Sequence, residues 1–242
     1  MILTIAVATA RAVLGRRRTI LLVLLAAVPA LVALLARGSG VSATETTALT
    51  IDLLVVRAVL PIVALVLGTA ALGSELEDGT AVYVLASPVA RWQIVVAKLL
   101  VAIVGTFILA GVSTLVTGLV LATDGPSLGL VWASVLGVLV GSVVYCALFV
   151  ALSLVTTRAF IVGLIYVLVW EGALASLFGG TRFLSVRQYV VGVANGIGQP
   201  PGAPFGDTLP IESALMLAAV VLVLAAALAV ERLRAWEVRP AD

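Results

Sequence analysis

Long apolar runs alternate with short polar connections along most of the chain. Six of these runs carry few charged side chains, and they cover about residues 19–36, 51–73, 97–122, 128–155, 159–178 and 211–230. At a rise of about 1.5 Å per residue, each run forms a helix that crosses or nearly crosses a hydrocarbon core of about 30 Å. Backbone polar groups need internal partners in lipid, which excludes open strands. The pattern predicts an all-α polytopic membrane protein, one domain over residues 1–242 with six transmembrane helices.

A weaker apolar segment, residues 2–15, precedes the first of these runs. It predicts an amphipathic N-terminal helix on the membrane surface or an extension of the first span. The run at 19–36 is longer than the apolar region of a signal peptide, which has about 7–15 residues. We therefore expect the first span to remain uncleaved.

The amino-acid composition agrees with a membrane protein and limits the kinds of catalytic and metal site that the chain could form. The chain is 63% hydrophobic and 11% charged, whereas soluble domains are about 45–50% apolar and about 25% charged. It has no histidine and one cysteine, which removes histidine acid–base catalysis, Cys-His nucleophiles and the usual zinc ligand sets. We expect no catalytic residue and no metal site. The net charge of +2 points to no particular partner, and we expect membrane lipid but no nucleic acid.

Basic residues predict the orientation. Six spans place both termini on one side, and a cytoplasmic N-terminus puts ten of the 14 basic residues on the cytoplasmic side. The other four are Arg37, Arg57, Arg182 and Arg187. This asymmetry predicts an N-in, C-in topology under the positive-inside rule. The connections at 37–50 and 123–127 are then outer loops, and residues 156–158 form an inner turn.

The outer segment before the last span, residues 179–210, is the longest of the outer connections. Ser185 and Gln188 have the spacing of a capping box, which predicts a short outer helix.

Small residues also recur every four positions in two spans. They are Ala102, Thr106, Ala110, Thr114 and Gly118 in the third span, and Ala133, Gly137 and Gly141 in the fourth. Such rows permit close helix packing, within the chain or at a subunit interface.

The most polar interruption, residues 74–98, lies between the second and third spans and therefore in the cytoplasm. Ser87 and Pro88 form a helix start signal, with Ser as N-cap and Pro at the first helical position. The apolar stretch before them is too short to span. The segment predicts an elbow whose apolar face binds a cytoplasmic partner. A plain chain reversal is the alternative, although it needs only about 2–8 residues.

This segment resembles the one that follows the second span in permease subunits of type-2 ATP-binding-cassette (ABC) transporters, the export-permease family. The matching positions are Glu75, Glu77, Gly79, Thr80, Ser87, Pro88, Arg91, Ile94 and Lys98. The stretch YVLVWEGALASLF at 166–178 is similar to the Trp-Glu-containing fifth span of those permeases. Six spans with a long outer segment before the last also agree with that family.

The resemblance implies a half-transporter in a bacterial or archaeal cytoplasmic membrane. Two permease subunits, identical or homologous, would enclose a translocation path above two ATPase subunits. Residues 74–96 would carry the coupling helix, with a docking site formed by Glu75, Glu77, Asp78, Gly79, Thr80, Ser87, Pro88 and Arg91. The chain contains no G-x-x-x-x-G-K-[ST] loop. We therefore expect it to bind no cofactor, with ATP and Mg²⁺ used by the ATPase partner.

Two charges fall inside apolar runs, Arg57 in the second span and Glu171 in the fifth. Intramembrane charges usually find a partner or a wet cavity, and these two lie at similar predicted depth toward the outer side. We predict that they pair, with Asp52 as the competing partner for Arg57. The pair would fix helix packing or serve as a gate or substrate contact.

Two other classes of function are the alternatives. An integral membrane enzyme acting on lipids would need clustered carboxylates, histidines or metal-ligand spacing, which the sequence lacks. A stand-alone secondary transporter or channel would carry several polar residues or broken helices at the bilayer midplane, and the sequence shows little of either.

Overall fold

The computed structural model describes residues 15–37, 42–77, 91–174, 183–200 and 205–235. The main elements over these residues are all helices, as the sequence predicts. They are α1 (Arg16–Ala36), α2 (Ala43–Thr50), the π-helix π1 (Ile51–Val59), α3 (Leu60–Glu77), α4 (Arg91–Leu121), α5 (Gly125–Val155), α6 (Ala159–Ile165), the π-helix π2 (Tyr166–Leu174), α7 (Val186–Gly198) and α8 (Ile211–Ala235).

Five helical stretches of the described chain are long and apolar enough to cross a membrane. They are Arg17–Ala36, Ala43–Ala71, Trp92–Leu121, Gly125–Val155 and Ile211–Leu233. The predicted fifth span is represented by a shorter apolar helix, Ala159–Gly172. The protein is therefore helical with several membrane-crossing segments, and the sixth crossing stays a prediction. The predicted surface segment 2–15 lies outside the described residues apart from Gly15.

The second span begins earlier than predicted. Residues 43–50, expected as an outer loop, form α2, which continues through π1 into α3. The Ser42 side chain accepts a hydrogen bond from the Glu45 amide at 3.3 Å, and Glu45 places an acid in the first turn. This N-cap starts the helix within a polar, threonine-rich stretch, which the hydrophobic pattern alone does not identify as helical.

Helix α5 occupies the centre of the bundle, in contact with α3, α4, α7 and α8. Its glycines permit this. A Cβ at Gly137 would collide with the carbonyl oxygen of Val190 in α7, and one at Gly141 would lie 2.5 Å from Val190 Cγ2. Gly118 of α4 lies in the same way against Val131 of α5. These contacts assign the glycines of the small-residue rows to packing within the chain.

The predicted short helix before the last span is present as α7, and it is buried in the bundle. Its residues from Val186 to Ala194 are buried except Arg187, which is partly buried. Its C-terminal Gly198 lies against Leu130 and Ala133, whereas Val190 lies against Gly137 and Gly141. Positions 130 and 141 of α5 are eleven residues apart, which corresponds to a rise of about 16 Å. Helix α7 therefore runs along α5 into the core, with its N-terminus at the deeper end.

Candidate functional site

The residues predicted to couple to a partner flank a segment outside the described structure. The last turns of α3 contain Glu75 and Glu77, and Arg91 is the first residue of α4. The others, Asp78, Gly79, Thr80, Ser87 and Pro88, lie outside the described residues. The coupling role of all eight stays a prediction.

Lys98 joins the two helices on either side of that segment. Its side chain is fully buried, and its Nζ donates a hydrogen bond of 2.9 Å to the backbone oxygen of Ala71. Ala71 lies six residues before the end of α3, and Lys98 lies seven residues after the start of α4. Because lysine is almost never fully buried without a partner, this bond is a specific tie between the two helix ends.

Asp52, in the first turn of π1, binds two arginines at once. Arg187 of α7 donates to it from Nε and Nη2, both at 2.8 Å, in a bidentate arrangement. Arg57 of π1 donates to Oδ2 from Nε at 3.2 Å and from Nη2 at 3.1 Å. Bidentate guanidinium–carboxylate pairs are among the strongest charge-assisted hydrogen bonds. Asp52 therefore ties the second span to α7.

Glu171 of π2 caps the buried end of α7. Its Oε1 accepts from the Val186 amide at 2.8 Å and its Oε2 from the Ser185 hydroxyl at 2.7 Å. The Tyr166 hydroxyl also donates to Oε1 at 3.2 Å. A carboxylate at a helix N-terminus satisfies free amides and complements the helix dipole. Glu171 therefore fixes α7 to π2.

Both π-helices bring side chains five positions apart into contact. Asp52 and Arg57 are separated by five residues, as are Tyr166 and Glu171. In an α-helix such residues lie about 140° apart around the axis. The wider turn of a π-helix, with its i→i+5 bonding, places them on one face. The π geometry thus permits both pairs, and π segments occur frequently at functional sites.

The predicted direct pair between Arg57 and Glu171 is wrong. Among the described residues, Arg57 bonds to Asp52, the competing partner, and Glu171 receives its three bonds from uncharged donors. The second and fifth spans are still connected, but through the first turn of α7. Ser185 and Val186 bind Glu171 while the adjacent Arg187 binds Asp52. The gate alternative for these charges stays a prediction.

Sequence reasoning missed Arg187, Ser185 and Tyr166 as members of this network. The Ser185–Gln188 spacing indicated a helix start, but the Ser185 side chain makes no capping bond to its own helix and donates to Glu171 instead. Arg187 was assigned to an outer connection because nothing local reveals that α7 enters the core. Its position one residue after a helix start was the only available signal.

The side chains of this network can hold helices together through ion pairs and hydrogen bonds. Its acids already accept several hydrogen bonds, and no group of three or more His, Cys, Asp or Glu side chains within the described ranges could hold a metal ion. Buried, bonded charges of this kind fix the relative positions of the helices that carry them.

Comparison with known proteins gives the family. No curated protein matches the sequence. A family model described as ABC-2 family transporter protein matches residues 14–179. This range includes α1 to π2, both π-helices and the whole polar segment 74–98. Because the match covers more than half of a chain whose fold is a bundle of apolar helices, the chain belongs to the ABC-2 family of transporter proteins.

Proposed function

We propose that the chain is the permease subunit of an ATP-driven exporter and forms part of its translocation path. The observation that carries the proposal is the family match over residues 14–179. The match is to a transport membrane component, and the described helices supply the apolar bundle that such a component needs. On this proposal the chain itself catalyses no reaction.

The proposed topology has six spans with both termini in the cytoplasm. The asymmetry of basic residues supports it. Residues 74–96 form the cytoplasmic coupling segment, between the ends of α3 and α4. The buried Lys98–Ala71 bond supports this part of the proposal, because a displacement of the segment then moves two long helices together.

The proposed partners are two ABC ATPase subunits and a second permease subunit, identical or homologous. The chain has no phosphate-binding loop of its own, so ATP and Mg²⁺ are bound by the ATPase subunits. Docking at the coupling segment transmits their closure to the spans as a rigid-body switch. The membrane is the cytoplasmic membrane of a bacterium or archaeon.

Co-purification tests the proposal. The chain is co-expressed with candidate ABC ATPase subunits of the same organism, and the complex is assayed for ATPase activity in lipid nanodiscs. Three variants change the coupling segment: Glu77→Lys, Gly79→Pro and Arg91→Glu. We expect each to reduce complex recovery or permease-dependent ATPase activity. The matched control is Arg158→Glu, in the other predicted cytoplasmic turn, which should leave both unchanged.

The opposite results are equally clear. Failure of every candidate ATPase to co-purify with the unsubstituted chain would contradict the permease proposal. A complex that forms and keeps full permease-dependent ATPase activity in all three variants would show that residues 74–96 are not the docking site. The permease assignment would be unaffected.

A further inference from the structure

Lys98 fixes the start of α4 against the end of α3 by a directional bond as well as by packing. The side chain is fully buried, and its Nζ lies 2.9 Å from the backbone oxygen of Ala71. Further along the two helices, a Cβ at Gly105 would lie 3.0 Å from Leu67 Cδ1, so α3 and α4 also pack closely there. Apolar packing is non-directional and lets two helices slide or rotate slightly, whereas a hydrogen bond constrains both distance and angle. Lys98 therefore sets the register of α3 against α4.

Stability alone does not account for a lysine at this position. Burial removes the ammonium from water, and an apolar side chain of similar volume often stabilises a fold as well or better. The carbonyl of Ala71 does not depend on the bond either. A carbonyl oxygen has two lone pairs, and inside a helix one of them accepts from the amide four residues later. What the lysine adds is a fixed position of one helix relative to the other.

The two helices connect to different parts of the bundle. Helix α3 continues from π1, where Asp52 binds Arg187 of α7. Helix α4 is bonded to α1, because the Ser113 hydroxyl donates to the backbone oxygen of Ala26 at 2.7 Å. A displacement that moves α3 and α4 together therefore reaches α7 through one helix and α1 through the other.

We propose that Lys98 is a positioning residue for coupling: its bond to Ala71 makes α3 and α4 move as one rigid unit when the segment 74–96 is displaced. The inference rests on the proposed permease function and adds to it a residue that does not dock the ATPase. Because Lys98 is buried within the chain, a docked partner does not contact it. Its substitution separates two properties, since docking remains and the transmission of motion is lost.

Lys98→Met tests this role in the complex with the ATPase partner in lipid nanodiscs. Methionine has a side chain of similar length without a donor. We expect unchanged complex recovery and KM for ATP. We expect the permease-dependent kcat to fall at least about fivefold, the lower end of typical coupling between two sites. The matched control is Thr106→Val, which removes a buried polar contact of 3.3 Å from α4 to Cys146 of α5 and should keep a normal kcat.

A distance measurement tests the positioning role without an ATPase. In a Cys146→Ala background, spin labels are attached to Thr69→Cys of α3 and Val96→Cys of α4. In the isolated chain we expect a narrow distribution of label separations with Lys98 and a broader one with Lys98→Met. In the complex, with Lys98 in place, we expect the same separation without nucleotide and with ATP bound, because the two helices move together.

Four results would overturn the proposal. They are a normal kcat in Lys98→Met, a loss of complex recovery in that variant, an equal fall of kcat in Thr106→Val, and a distribution of separations that stays narrow in Lys98→Met. If Lys98→Met does not fold, the labelled complex decides the question, since a separation that changes between the two nucleotide states contradicts the proposal and a constant one supports it.

The failure of the permease function itself gives a different result. In that case no ATPase binds the unsubstituted chain, which contradicts the coupling role together with the proposed function. The labels in the isolated chain still show whether Lys98 fixes α3 against α4.

Discussion

At the scale of single residues, Asp52 is the group on which two charged side chains depend. Asp52→Asn keeps its shape but leaves Arg57 and Arg187 without a charged acceptor. Breaking a buried ion pair costs about 3–5 kcal/mol. We expect a loss of unfolding free energy toward the lower end of that range, because Arg57 is partly exposed and only the Arg187 pair is largely buried. Unfolding by SDS in mixed micelles measures it.

The control for Asp52→Asn is Glu45→Gln in the same continuous helix. Glu45 is exposed and near the helix start, so its neutralisation should change the unfolding free energy by no more than about 0.5 kcal/mol. Equal effects of the two substitutions would show that the bonds of Asp52 to Arg57 and Arg187 add no stability.

The sequence identified which charged residues belong to the network better than it identified which residues they bond to. Arg57 and Glu171 are conspicuous in the sequence because charges inside apolar runs are costly, and Asp52 was recognised as a competitor for Arg57. Their actual bonds depend on α7 entering the bundle and on π geometry that brings positions i and i+5 together. Neither property has a local sequence signature, since π1 and π2 are as apolar as ordinary spans.

At the scale of elements, close contact between α5 and α7 depends on glycine. Gly137→Ala would drive a Cβ into the carbonyl oxygen of Val190, and backbone there cannot rotate away. We expect a loss of about 1–3 kcal/mol in unfolding free energy, the usual cost of overpacking. Gly129→Ala is the matched control in the same helix, because a Cβ there meets nothing within 4 Å.

The control should be neutral or more stable than the unsubstituted chain, since Ala exceeds Gly in helix propensity by up to about 1 kcal/mol. The same SDS unfolding assay compares the two variants. If Gly137→Ala behaved like Gly129→Ala, α7 would not pack on α5 at the described distance.

The start of α5 carries a pH-dependent cap. Hydrogen bonds from the Ser127 side chain and then its backbone amide hold the pKa of Asp124 below its ordinary value of 3.8. A lowered folded-state pKa means that the stabilisation is present above the ordinary value and disappears as the pH falls through the folded value. Asp124→Asn keeps a capping side chain without the charge.

Hydrogen exchange of the Ser127 amide measures this effect. We expect a higher protection factor in the unsubstituted chain than in Asp124→Asn at about pH 6, and a difference that shrinks once the pH falls below the ordinary value of 3.8 and through the lowered folded-state pKa. A difference that does not change over that fall in pH would show that the charge of Asp124 does not contribute.

At the scale of the whole molecule, hydrophobic periodicity predicted the spanning helices because lipid imposes one simple requirement, a long apolar helix. It predicted neither the start of α2 nor the burial of α7, because both depend on capping and on contacts between segments distant in sequence. The proposed docking segment shows the same difference between what the sequence reveals and what only the fold reveals. The sequence marks residues 74–98 as unusual, whereas the hydrogen bond from Lys98 at the end of that segment to Ala71 before it appears only in three dimensions.

The proposed orientation gives the last prediction. In a Cys146→Ala background, single cysteines are placed at Thr123, Thr157 and Asp207, and intact cells are treated with a membrane-impermeant maleimide. An N-in, C-in chain with six spans exposes positions 123 and 207 outside and position 157 inside. We expect labelling of Thr123→Cys and Asp207→Cys in intact cells, and of Thr157→Cys only after lysis. A different result would contradict the fifth span. If position 207 is labelled from the same side as position 157, and position 123 from the opposite side, residues 159–178 do not cross the membrane. Labelling of Thr157→Cys alone in intact cells would reverse the topology and place residues 74–96 beyond the reach of a cytoplasmic ATPase.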